Sequence, residues 1–328
     1  MVRRILVAVG MMAALVAVTA CGSSGNDASG SGSGTKSAKA DGKKITVIMP
    51  SLANDAYLLE KAGAEAEAKR NPGQQVSVVT GAGQSSSELV SKIEDAVTRG
   101  TNVIAINAGD PKPVIPALKR AVQQGVKVVV FDVPIPELTD QSSFVGLDNR
   151  QGGELAGKWL ASHGGSGGQL GILHCIPGLQ ITDDRVGGFK AGLGSAPYKV
   201  VSTLDAKCDR EKGRTVMENM LSSHPDLDAI YSISDTQTFG AVKAITAVHK
   251  DPIVVSFDAQ PEALKDIKAG TVIDASVGQF PFKVGALAVK TAVAVAQGKT
   301  VDKQVISPLV MVDKTNVDRF TADQRQLP

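Results

Sequence analysis

Residues 76–106, VSVVTGAGQSSSELVSKIEDAVTRGTNVIAI, read as a strand, a helix and a second strand. Val76 to Val79 and Val103 to Ile106 are short, near-continuous apolar runs, the pattern of parallel strands covered on both faces. Between them Leu89, Ile93, Ala96 and Val97 recur at helical spacing. Ser85-x-x-Glu88 supplies a capping box ahead of that stripe and Gly100 closes it. A strand, a crossover helix and a parallel strand require a right-handed connection, and repetition of the unit builds a doubly wound sheet.

The unit does repeat. Ile45 to Met49 and Val126 to Phe131 read as further buried strands, and a helix after the first sets Leu59, Ala62 and Ala66 against Glu60, Lys61, Glu65, Lys69 and Arg70. Phe144 and Val145 end this series. A second begins after Asp148-Asn149: helix 152–162, strand 169–173, helix 184–193, strand 199–204 and helix 211–222. Strands at 229–233, 253–257 and 272–276 follow, with helices 239–248 and 262–268 between them, then an amphipathic stretch 284–296 and a last strand 309–312. The expected fold is α/β, two lobes each with its own parallel sheet.

The N-terminus is of another kind. Arg3 and Arg4 precede an apolar run, Ile5 to Ala20, long enough for a signal-peptide core but short for a membrane span. Val18-Thr19-Ala20-Cys21 resembles the lipobox of bacterial lipoproteins, which implies cleavage after residue 20 and a diacylglycerol on Cys21. Residues 21–42 are rich in Gly, Ser, Asp and Lys and read as a flexible tether. The chain is therefore expected outside the cytoplasm, lipid-anchored to the outer face of a bacterial membrane. Roughly 285 residues remain for the folded part, enough for two lobes with well-developed cores.

Composition excludes several classes. A net charge of +2 gives no footprint for nucleic acid. His163, His174, His224 and His249 stand apart without metal-ligand spacing, and no Gly-x-Ser-x-Gly elbow occurs, so neither a metal centre nor a catalytic triad is expected. Gly81-Ala-Gly83 lacks the third glycine of a dinucleotide loop. In Gly152-x-x-x-x-Gly157-Lys158, Trp159 stands where a phosphate loop needs a hydroxyl. No cofactor is expected.

In open α/β sheets ligands bind beyond the carboxyl ends of the strands. The residues found there are short acids and amides: Asn54, Asp55 and Tyr57; Asn107 and Asp110; Asp132; then Asp183, Asp184 and Arg185; Asp205, Cys208 and Asp209; Ser234 and Asp235; Asp258; Gln279. For Asp55, Asp110, Asp184, Asp209 and Asp235, capping of the next helix explains the residue at least as well as binding. Asp132 and Asp258 each close an apolar strand and precede non-helical residues, which favours a ligand.

Pro50-Ser-Leu-Ala-Asn54, residues 99–107 (RGTNVIAIN), Phe131-Asp132, residues 184–189 (DRVGGF), His224-Pro-Asp226, Phe257-Asp258 and Gln279 together resemble the ribose-type periplasmic sugar-binding proteins of ABC importers. The resemblance runs from about residue 43 to the last strand. It implies two Rossmann-like lobes joined by three crossings, with residues 43–147 and 279–308 in one and 148–278 and 309–328 in the other. It also implies a pocket of Asn54, Tyr57, Asn107, Asp132, Arg185, Ser234, Asp258 and Gln279, and Asp235, next to Ser234, is counted among the ligand-binding residues. Ala56, Val133 and Cys208 occupy positions where the family has Phe, Arg and Phe, leaving Tyr57 as the main aromatic wall. That departure points to a small sugar or an acyclic polyol, held by charge-assisted hydrogen bonds.

Cys175 and Cys208 follow successive second-lobe strands, and an oxidising compartment makes a disulfide the expected state, with two buried thiols the alternative. The resemblance implies a monomeric, non-enzymatic carrier that closes on its ligand and is read by a membrane permease. A receptor for a chemotaxis or sensor-kinase pathway would carry the same sequence features.

Overall fold

The computed structural model describes residues 42–52, 55–82 and 87–325. The expected signal segment, Cys21, Asn54 and the Ser85 cap lie outside the described residues. The chain first forms β1 (Lys44–Met49), α1 (Asp55–Arg70), β2 (Gln75–Thr80), α2 (Ser87–Thr98), β3 (Val103–Ile106), α3 (Ile115–Gln123), β4 (Lys127–Phe131) and β5 (Ser143–Gly146). It continues through α4 (Asn149–His163), β6 (Gly168–His174), α5 (Gln180–Leu193), β7 (Tyr198–Asp205), α6 (Arg210–Ser223) and β8 (Leu227–Ser232). Then come α7 (Asp235–Ala247), β9 (Ile253–Asp258), α8 (Pro261–Ala269), β10 (Ala275–Gly278), α9 (Pro281–Ala296), β11 (Gln304–Ile306), β12 (Val310–Asp313) and α10 (Val317–Arg325).

The strands assemble as two six-stranded sheets, ordered β11-β5-β4-β3-β1-β2 and β12-β10-β9-β8-β6-β7. The orders coincide when β1 to β5 are matched with β6 to β10, so β4 and β9 hold equivalent places, as do β3 and β8. The chain passes between sheets after β5, after β10 and between β11 and β12. The final strand enters antiparallel to β10.

Each sheet is buried on both faces, which explains the near-continuous apolar runs. In the first lobe Val47, Val103, Ala105 and Val129 pack in the cluster that holds α9 residues Val284, Ala288 and Ala292. Their neighbours Ile48, Ile104, Ile106, Val128 and Val130 face Leu89 and Ile93 of α2 and Leu118 of α3. In the second lobe Ile172, Tyr231 and Val255 join Phe189 and Leu160, while Leu173, Ile230 and Val254 meet the α6 and α8 side chains.

The first helix departs from expectation. Leu59 is 38% exposed and Glu60 only 2%. A Cβ on Gly63 would run into the Phe282 carbonyl and one on Gly285 into the Glu60 carbonyl, so α1 and α9 meet backbone to backbone. Glycine, not apolar bulk, selects the buried face. Helices α4 and α7 begin several residues before their apolar stripe, because their first turns carry Asn149 and Asp235, polar side chains buried for other reasons. The strand expected at 272–276 is shifted to Ala275–Gly278 by its pairing with β9, and Ile273 instead fills the core beside Ile267.

A polar cleft between the two lobes

Asp132 and Asp258 sit at the carboxyl ends of the equivalent strands β4 and β9, and both have left-handed backbone, φ 61° and 111°. Non-glycine residues rarely adopt that region, and holding one there costs about 1–3 kcal/mol. The same unusual turn at the same place in each lobe sets a carboxylate at each strand end. Ala56 and Leu59 of the first lobe face Asp258, Ala259 and Gln260 of the second across a cleft, with Gln279 and Pro281 of the β10–α9 crossing at its back.

On the first-lobe side, Asn107 follows β3 and is fully buried. Its Nδ2 donates to Asp132 Oδ2 at 2.9 Å and to Glu60 Oε2 at 3.0 Å, while its Oδ1 accepts from the Gly109 amide at 3.1 Å. Burial pushes the Asp132 carboxyl up to about 6, with Arg185 and the Asn107 bond pulling the other way. Glu60 is raised well above the ordinary carboxylate range, by burial first and by Asp132 second. Burial and then Asp132 likewise raise the Tyr57 phenol, which stays neutral.

On the second-lobe side Arg185, from α5, is 6% exposed and lies over the Phe257 ring, 3.5 Å from guanidinium carbon to centroid. Its Nε donates to Asn149 Oδ1 at 3.0 Å, and its Nη1 to the Ile233 carbonyl at 2.7 Å and to Asp258 Oδ1 at 3.3 Å. Among the described residues Nη2 carries no hydrogen bond. Asp258 also accepts from Gln279 Nε2 at 2.8 Å and from Ser234 Oγ at 3.0 Å.

The structure thus brings together Tyr57, Asn107, Asp132, Arg185, Ser234, Asp258 and Gln279. Asp235 is placed differently. It has no exposed surface, and its carboxylate accepts from Ser256, from Ser276 at 3.0 Å and from the Gln260 amide at 2.7 Å. It stands behind the wall, holding β9, β10 and the start of α8 in register, and burial pushes it to about 8. Asp148 and Asp209 cap α4 and α6, accepting from Gln151 and Lys212. Cys175 and Cys208 form a disulfide, Cα atoms 4.9 Å apart, between the loops after β6 and β7. Among the described residues no cluster of His, Cys, Asp and Glu could hold a metal.

Glu60 and Asn149 are the residues that sequence reading missed. A glutamate flanked by lysine on a helix reads as solvated, and nothing local to Asn149 distinguishes it from a first-turn polar residue.

Two Rossmann-like lobes, a hinge of three crossings and polar side chains converging from both strand-end edges define a solute-binding protein of the type I periplasmic class. Residues 45–300 match the Periplasmic binding protein domain family, and the chain belongs to that family, in its ribose-type branch. It is 35% identical to the ribose import binding protein RbsB of Bacillus subtilis over 265 residues, 81% of this chain and 85% of that one. An ABC transporter solute binding protein from Mycobacterium smegmatis with bound glycerol superposes with a TM-score of 0.78 and 32% identity, covering 85% of this chain and 96% of that one. One from Bacillus halodurans with bound myo-inositol gives 0.79 and 26%, covering 86% and 98%. The family binds solutes without chemical change, so the chain is a binding protein and not an enzyme.

Proposed function

We propose that this protein is an exported, lipid-anchored receptor for a sugar or small polyol, which it captures by closure of its lobes and delivers to an ABC permease. The observation that carries the reading is the pair of strand-end carboxylates, Asp132 and Asp258, one from each lobe, with Arg185 between them in the electrostatic balance of both. A ligand that contacts both lobes favours the closed state by the sum of those contacts, and one that contacts a single lobe shifts nothing. Neighbours holding glycerol and myo-inositol support a ligand recognised by hydroxyls. Ala56 and Val133 support a small or acyclic one, since neither offers a ring-stacking surface or a second guanidinium.

Cys21 would carry the lipid, and the tether up to residue 42 would keep a closed, loaded receptor near its permease. Titration calorimetry against pentoses, hexoses and tetritol-to-hexitol polyols tests the reading, with small-angle scattering to follow closure. Binding of at least one member with a fall in radius of gyration is expected. Asp132→Ala should keep the fold and lose that fall. Binding to none of the panel would refute the proposal.

A further inference from the structure

The two sheets are alike in fold and opposite in charge at their amino-terminal edges. In the first lobe Lys43 and Lys44 open β1, the turn before β3 carries Arg99, Lys127 opens β4 and Lys303 precedes β11, and each of these residues is exposed. In the strand order β11-β5-β4-β3-β1 they follow one another along one edge, at about 4.8 Å per strand, a row roughly 20 Å long. Lys44 Nζ donates to the Arg99 carbonyl at 2.9 Å, and the Lys127 amide donates to the Asn102 carbonyl at 3.0 Å, so the row is continuous. Asp95 lies 4.0 Å from Arg99, both well exposed. Asp302 adjoins Lys303, and Asp140 adjoins Gln141, whose carbonyl accepts from Lys303 Nζ at 3.4 Å. Lys43, Lys44, Lys127 and Lys303 make no ion pair among the described residues. The equivalent strands of the second lobe begin differently. Asp226 and Asp228 flank the start of β8, the counterpart of β3; Asp251, beside Lys250, precedes β9, the counterpart of β4; and Asp274 precedes β10, the counterpart of β5. Helix carboxyl ends, which attract cations, reach this edge in both lobes: α2, α3 and α9 run towards Arg99, Lys127 and Lys303, and α6, α7 and α8 towards Asp226, Asp251 and Asp274. Helix dipoles therefore do not account for the cations of the first lobe.

The described chain also enters the fold at this edge. A Cβ on Gly42 would run into the Gly73 carbonyl, just past the Lys69–Arg70 end of α1, and the Lys43 carbonyl accepts from the Gln75 amide at 3.0 Å. We infer that the basic amino-terminal edge of the first lobe is a membrane-docking face, which seats the receptor on anionic phospholipid headgroups. The inference takes the lipid anchor proposed above as its setting. Residues 21–42, as a tether, have a mean reach of roughly 25 Å, which keeps the edge they lead into close to the headgroups. Headgroup phosphates complement a row of unpaired lysines, and each cation near an anionic surface strengthens binding about fivefold. The cleft lies at the other end of the same strands, and the six residues of β1 span about 20 Å. A seated receptor thus turns its cleft away from the membrane, towards the solution from which ligand arrives, and delivery requires it to lift off and turn on its tether.

Vesicle co-sedimentation tests this on the whole mature chain with Cys21→Ser, which keeps the tether and the folded part and carries no lipid. Partition onto vesicles of about 30% phosphatidylglycerol in phosphatidylcholine should exceed that onto phosphatidylcholine alone by about tenfold or more in about 0.05 M salt, and the excess should vanish in about 0.5 M salt. A variant combining Lys43→Glu, Lys127→Glu and Lys303→Glu should bind both vesicles alike. One combining Lys199→Glu, Lys243→Glu and Lys250→Glu changes net charge equally on the second lobe, and should keep the excess to within about threefold. Thermal unfolding checks that both variants fold. Equal partition of the parent chain onto the two lipid compositions would overturn the inference, and so would an equal loss of the excess in the second-lobe variant. If the first combined variant failed to fold, Lys127→Gln alone would decide, with about fivefold weaker binding expected and unchanged binding refuting the face. The anchor is checked apart, by mass spectrometry of the protein from its native host. A Cys21 without diacylglycerol would sink the anchor reading and this inference with it, whereas an anchored protein indifferent to phosphatidylglycerol would sink the inference alone.

Discussion

Asp258→Asn removes a charge while keeping nearly the same shape, and the consequences can be worked through atom by atom. The asparagine oxygen can still accept from Arg185 Nη1 and Gln279 Nε2, and the Ser234 hydroxyl can reverse to accept from the new amide. Hydrogen-bond number is thus almost conserved, and the effect isolates the charge. Arg185 and Asp258 are 7% and 10% exposed, and breaking a pair so deeply buried costs about 3–5 kcal/mol because it strands the remaining charge. Asp132 offsets part of this: it also feels Arg185, and with the repulsion from Asp258 gone its carboxyl falls from about 6 towards the ordinary range. The lower end, about 3 kcal/mol, is expected, or a fall in melting midpoint of roughly 6–12 °C. Thermal unfolding followed by circular dichroism at pH 7 measures it. The control is Glu262→Gln, which breaks the Arg210–Glu262 pair, 37% and 51% exposed, and should change stability by less than about 1 kcal/mol. If Asp258→Asn melted within about 2 °C of wild type, or no lower than Glu262→Gln, the charge argument for the cleft would be wrong.

Three further outcomes follow from the same structure. Asp235, raised from 3.8 to about 8 by burial, binds its proton more tightly folded than unfolded, so its contribution is complete only below the unfolded value and is lost as pH rises through 8. Stability from urea unfolding should fall across that interval, Asp235 adding up to ~1.4 kcal/mol per pH unit to the same-signed contributions of the raised Glu60, Asp132 and Asp258, and Asp235→Asn should reduce that slope; a wild-type stability that rises from pH 5 to 8 would contradict this. Replacing Cys175 and Cys208 by serine opens a loop closed over a separation of 33 residues and should lower stability by about 3–4 kcal/mol. Alkylation mass shifts with and without reductant report the bridge itself, and labelling of both cysteines without reductant would exclude it. Gly63→Ala forces a methyl group onto the Phe282 carbonyl and should cost about 1–3 kcal/mol, whereas Gly73→Ala, with open space around it, should leave the urea midpoint almost unmoved.

Legibility differed from element to element for physical reasons. Strands β3, β4, β8 and β9 were readable because both faces of each sheet are covered, so their central residues form near-continuous apolar runs. Helix α2 was readable because one side meets the sheet and the other meets water, and Leu89, Ile93 and Ala96 record that difference. Helix α1 was readable as a helix but its buried face was not, since that face carries Gly63, Ala64 and Glu60, residues chosen by a helix more than 200 positions later.

The site divides along the same line. That Asp132 and Asp258 close apolar strands is local information, and it sufficed to single them out. That Asp235, with an equally plausible sequence position, turns inward to two serines and a backbone amide depends on where β9, β10 and α8 meet. The role of Glu60 depends on where α1 brings its carboxyl against the end of β3. The sequence by itself determined the alternation of strands and helices, and hence the two lobes and the edge at which polar residues gather, because periodicity and burial are written residue by residue. Only the tertiary structure decided which polar groups point into the cleft and which brace it, because hydrogen-bond partners are set by chain segments far apart in sequence, and a buried carboxylate has meaning only through the donors around it.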